Sequence, residues 1–133
     1  MKQQLLMIED DADDRYITEK YFSDNGVDIG LDFFDAAEDV VEYLSTLPDH
    51  LLPRLIILSP GKNRLQALQD LKSHPQFKLI PVVVLSETAH PSVVYEAYRL
   101  GASSVIQKPA THQDTQLKIS TFAKYWFSTV ELP

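Results

Sequence analysis

Four consecutive branched aliphatics, Leu55-Ile56-Ile57-Leu58, stand between Pro53 and Pro60-Gly61. A run this short and this apolar reads as a strand buried on both faces, as in the middle of a parallel sheet. The flanking prolines and the glycine mark its ends. In an open parallel α/β sheet, chemistry sits just beyond the carboxyl ends of such strands. The residue placed there is Ser59.

The rest of the chain alternates around that strand. Leu5-Leu6-Met7-Ile8 is a first apolar strand and runs into Glu9-Asp10-Asp11-Ala12-Asp13-Asp14, five acids in six positions. Tyr16, Ile17, Tyr21 and Phe22 then recur at helical spacing, and Asn25-Gly26 ends that helix. The acids suit its positive end, with one as its cap. Residues 29–34 alternate as a weaker strand, and residues 36–47 read as a helix that Pro48 stops. After the central strand, Gly61-Lys62-Asn63 is a loop, and Leu65, Leu68 and Leu71 mark a short helix. Residues 80–85 form another buried strand, with Pro81 tolerated at its start. Pro91 suits the first turn of a helix that ends at Gly101. Ser104-Val105-Ile106 is a last strand, broken by Lys108-Pro109, and residues 111–130 form a long final helix.

Five such alternations imply a parallel sheet with helices on both faces and right-handed crossovers. The expected fold is a flavodoxin-like (βα)5 three-layer sandwich with sheet order 2-1-3-4-5. Its switch point lies between the first and third strands. Glu9, Asp10 and Ser59 should therefore meet at one rim, joined by Ser86 and Lys108.

Composition narrows the function. The 133 residues suffice for one domain with a core and not for two. The absence of cysteine rules out disulfides and thiolate metal sites and suits a reducing cytoplasm. A formal charge of −7 disfavours nucleic acid, whose backbone is held by Lys and Arg. No apolar run approaches a membrane span, and neither a leader nor an output domain is expected.

Four pieces carry a family resemblance: Ile8-Glu9-Asp10-Asp11, Pro81-Val82-Val83-Val84-Leu85-Ser86, Gly101-Ala102-Ser103-Ser104 and Lys108-Pro109. Together they resemble a response-regulator receiver domain of bacterial two-component signalling, over the whole chain, residues 1–133. The ending from Tyr125-Trp126-Phe127 to Glu131-Leu132-Pro133 is similar to small stand-alone receivers that accompany phytochrome-type histidine kinases. The resemblance implies an acidic pair, Glu9 and Asp10, for magnesium, with Ser86 and Lys108 on the phosphoryl oxygens. It also puts Ser59 where the phosphoacceptor aspartate belongs. The loop after Ser59 is shortened, and Val105 stands at the usual switch aromatic. Acceptor, loop and switch are all altered, so the chain resembles a degenerate receiver.

What remains at the rim is weighed on its chemistry. A neutral Ser59 hydroxyl is a weak nucleophile without an adjacent base. A hydrolase elbow needs the backbone N–H of the following residue, and Pro60 has none. His90 is expected in a loop. With one carboxylate missing, magnesium at Glu9 and Asp10 should be weak or absent, and no other cofactor is expected. Flavin phosphate would be repelled by the acids after the first strand. Asp13 and Asp14 read as solvated helix-start residues. Lys108 could pair with Glu9 or Asp10, and Lys62 or Arg64 could supply an internal counter-charge to either acid. The resemblance implies a cis bond before Pro109. The function expected is therefore not enzymatic. It is a phosphorylation-independent signalling module acting by protein–protein contact with a histidine kinase or another two-component protein. A homodimer through the last two helices is expected, with Tyr95, Tyr98, Tyr125, Trp126 and Phe127 at that surface. The rivals are a conventional receiver with another acceptor side chain, and a small enzyme or flavin carrier on the same fold.

Overall fold

A computed structural model describes residues 4–133. The strands are β1 (Gln4–Ile8), β2 (Gly30–Phe34), β3 (Leu55–Leu58), β4 (Val82–Ser86) and β5 (Ser104–Gln107). The helices between and after them are α1 (Ala12–Asp24), α2 (Val40–Ser45), α3 (Arg64–Ser73), α4 (Pro91–Arg99) and α5 (His112–Lys124). All strand pairs are parallel, in the order β2-β1-β3-β4-β5. This is the flavodoxin-like arrangement expected from the alternation.

Period-two alternation divides the core into two layers. Leu6, Ile8, Ile56, Leu58, Val82 and Val84 pack with Val40, Leu44, Leu68 and Leu71 of α2 and α3. Leu5, Met7, Leu55, Ile57 and Val83 pack on the other face with Phe22 of α1 and Trp126. All four residues of β3 are buried, as a middle strand of a doubly covered sheet requires.

Local chemistry sets the helix ends. Asp11 caps α1, its carboxylate accepting the Asp14 N–H at 2.9 Å. Thr111 caps α5, and Pro91 opens α4 at a first-turn position. Gly26 and Gly101 take positive φ where α1 and α4 turn back to the sheet.

The helices predicted over residues 36–47 and 111–130 are not uniform. The former begins as a 3-10 turn, Ala37–Asp39, before α2. The latter ends as a π-helical turn, Tyr125–Thr129, which brings Trp126 into the core. Tyr16 and Ile17 of the α1 stripe lie exposed, and only Phe22 of that stripe is buried.

Candidate functional site

The two central strands continue past their ends by single hydrogen bonds. Ser59 N–H donates to the Ile8 carbonyl at 3.1 Å, and Glu9 N–H to the Phe34 carbonyl at 2.9 Å. These bonds hold Glu9 and Ser59 beside each other, each only 4 % exposed. Glu9 Oε2 accepts the Asp11 N–H at 3.3 Å. Its backbone carbonyl accepts Arg15 Nε at 2.7 Å, and that guanidinium lies over the Phe33 ring, 5.6 Å from its centre.

Burial pushes the Glu9 carboxyl above the usual glutamate value, and the Asp14 charge adds to this. The Asp11 amide, the Ser59 hydroxyl and the Lys108 ammonium pull the other way without prevailing. Ser59 Oγ is sealed from solvent and closes no hydrogen bond. The hydroxyl is near enough to Glu9 to favour the carboxylate, but it does not meet it in bonding geometry.

Lys108 arrives from the end of β5. Its N–H donates to the Ser86 carbonyl at 2.7 Å, extending the β4–β5 ladder by one residue. Its ammonium lies 3.7 Å from Asp14, half-exposed in the first turn of α1. This corrects two expectations: Lys108 is paired with neither Glu9 nor Asp10, and Asp14 is not merely a solvated helix-start acid. A third correction concerns Pro109. No peptide bond among the described residues is cis, so Lys108-Pro109 is trans. The extended ladder already aims Lys108 at α1, and no sharper turn is needed to do so.

The other rim residues make different side-chain contacts. Asp10 is exposed. Ser86 is buried, its Oγ accepting the Thr88 N–H at 3.4 Å. Arg64 is not a counter-charge to the acidic pair; it donates to the Leu85 carbonyl at 2.6 Å, and the charge that acts on it is Glu87. Lys62 is exposed. His90 is the N-cap of α4, accepting the Ser92 N–H at 3.2 Å. The Val105 N–H donates to the Tyr98 hydroxyl at 3.2 Å, so an aromatic side chain from α4 stands beside β5 there.

Sequence reasoning missed Asp14, Arg15 and a contact between α1 and α5. In that contact Tyr21 is hydrogen-bonded to His112 Nδ1, their ring centres 5.2 Å apart. Asp14 had a signal, its place three residues after the capping Asp11. The Tyr21–His112 pair, 91 positions apart in the chain, had none.

No family model matches the chain. Response regulator Rcp1 of Synechocystis sp. (strain ATCC 27184 / PCC 6803 / Kazusa) is 25% identical over 135 residues, covering 97% of this chain and 92% of that protein. The chain is similar to response-regulator receiver proteins over nearly its whole length. The receiver fold is equally plain in solved structures. The response regulator RPA3017 in red light signaling of R. palustris superposes with a TM-score of 0.88 at 22% identity, over 98% of each chain. The phosphorylated cyanobacterial phytochrome response regulator RcpA does so at 0.86 and 24%, over 100% of this chain and 99% of that one. Among the described residues, no three His, Cys, Asp or Glu side chains gather in a metal-binding group. None of their helices is long and apolar enough to cross a membrane.

Proposed function

We propose that this receiver works without phosphorylation, as a non-enzymatic module that signals by protein–protein contact in a two-component pathway. Its partner would be a histidine kinase or another protein of that pathway. The observation that carries the reading is Ser59. At the carboxyl end of β3, where the resemblance puts an acceptor carboxylate, stands a buried neutral hydroxyl without a hydrogen-bond partner. A serine becomes a useful nucleophile only beside a base that can take its proton. The Glu9 carboxyl beside it is not in bonding geometry with it.

Magnesium fits this rim poorly. The ion needs a near-octahedral set of oxygens, usually with carboxylates among them. Glu9 is buried and has one oxygen on the Asp11 amide. Asp10 is exposed, and Ser59 offers no charge. No step of the proposed function passes through a cation, and no other cofactor is invoked.

The test is to incubate the protein with acetyl phosphate and magnesium and to weigh it intact. The expected mass is unchanged. A stoichiometric gain of one phosphoryl group would overturn the reading in favour of a conventional receiver using another side chain.

A further inference from the structure

Between α1 and α5 a groove of about 420 Å³ opens over the sheet. Met7, Ile57, Leu85 and Ile106, from four different strands, line it together with Phe22 and Phe122. Well-packed interiors leave few voids larger than a water molecule. A cleft this size over the sheet falls within the range of small-molecule sites, about 300–1,000 Å³. Tyr21 of α1 and His112 of α5 meet at its lining, so the two helices touch across the opening.

The groove has one polar end. Glu9, Asp14 and Lys108 line it there, two carboxyls to one ammonium. A second lysine of the lining, Lys118, is committed to the Gln107 carbonyl at 2.7 Å. Among the described residues, the Lys108 ammonium closes an ion pair with Asp14 alone, at 3.7 Å, both partners being partly exposed. Such pairs are weak and readily exchanged. Glu9 is the buried member, and Lys108 does not close a salt bridge with it. The whole chain carries −7, which enriches cations around it.

We propose that this groove binds an amphipathic cation. Its apolar, ring-sized body would lie over Met7, Ile57, Leu85 and Ile106, and its ammonium would enter between Glu9 and Asp14. The ligand displaces Lys108 from Asp14 and parts Tyr21 from His112 as it enters. Bound there, it bridges the sheet rim and the α1–α5 pair, and so couples a small molecule to the surface of the receiver.

Trp126, the only tryptophan of the chain, reports on the site. Its ring centre lies 6.4 Å from that of Phe122, which lines the groove. The probe is dansylcadaverine, an aromatic body carrying an ammonium, which absorbs where tryptophan emits. Dansylglycine, its anionic counterpart, is the control. Titration with dansylcadaverine should quench Trp126 saturably, and dansylglycine should bind at least about tenfold more weakly, a difference of about 1.4 kcal/mol. Glu9→Gln keeps the shape and should weaken dansylcadaverine about tenfold while leaving dansylglycine unchanged. Thr115→Phe, on the α5 wall, should abolish quenching by either dye. A single cooperative melting transition in Glu9→Gln and Thr115→Phe shows that the fold is intact; should Thr115→Phe not fold, Glu9→Gln alone decides. No saturable quenching, equal affinity for the two dyes, or full affinity in Glu9→Gln would overturn the proposal.

Discussion

The Lys108 ammonium lies 3.7 Å from the Asp14 carboxylate, tying the end of β5 to the first turn of α1. Both side chains are partly exposed, 34% and 43%, so solvent screens the pair. Its worth should be about 0.2–1 kcal/mol. A double-mutant cycle of Lys108→Met and Asp14→Asn, measured by urea unfolding, should give a coupling in that range that shrinks with added salt. A coupling of several kcal/mol would mean that the pair is buried.

Glu9 makes stability depend on pH. Its folded carboxyl holds its proton above the usual glutamate value, about 4.3, because burial disfavours the charge. The native state therefore binds more protons than the unfolded chain between those two values. The stability Glu9 contributes is present below the unfolded value and is lost as pH rises through the raised one. Glu9→Gln has no proton to lose. The variant should be more stable than the parent near neutral pH, with the difference fading below about pH 4. Thermal melts across that range provide the check.

Ser59 Oγ is buried without a partner, and an unmade hydrogen bond of this kind costs about 1–3 kcal/mol. Ser59→Ala removes the hydroxyl and leaves only a small space. The variant should unfold at higher urea concentration with an unchanged slope. A loss of stability would mean that the hydroxyl is bonded to Glu9 in solution.

Gly101 has φ +109°, and a Cβ there would meet Lys72 Cγ at 2.8 Å. Lys72 cannot easily retreat, because its ammonium donates to the Ile80 carbonyl at 2.8 Å and to the Lys78 carbonyl at 3.1 Å. Gly101→Ala combines a strained backbone with this crowding and should destabilise by more than about 1 kcal/mol. Calorimetry or urea unfolding measures it.

The surface of α4 and α5 leaves Tyr95, Tyr98 and Leu117 exposed, while Trp126 is withdrawn into the core. Apolar area removed from water there is worth about 25 cal/mol per Å². Two-fold pairing is the commonest closed assembly. Light scattering at micromolar concentration should therefore report a dimer without any phosphodonor, and Tyr95→Ser should weaken it. A clean monomer would reject self-association.

The sequence alone was enough for the architecture. Leu55-Ile56-Ile57-Leu58 and Val82-Val83-Val84 leave no polar position for a solvated face, so those strands had to be central and covered on both sides. Turn and cap chemistry is equally local, and Asn25-Gly26, Pro48, Pro91 and Gly101 punctuate the chain near where the elements change. The nearness of Glu9 to Ser59 followed from topology, because both continue adjacent strands at the switch point.

Only the tertiary structure decided which partners the charges take. Lys108 chose Asp14 over Glu9 or Asp10, and Arg64 chose the Leu85 carbonyl. A long cation can reach several groups within a few ångströms, and sequence periodicity carries no information at that range. The same holds for the groove between α1 and α5. Its existence depends on how far two helices stand apart over the sheet. That distance is set by side-chain volumes drawn from the whole chain, from Met7 to Phe122.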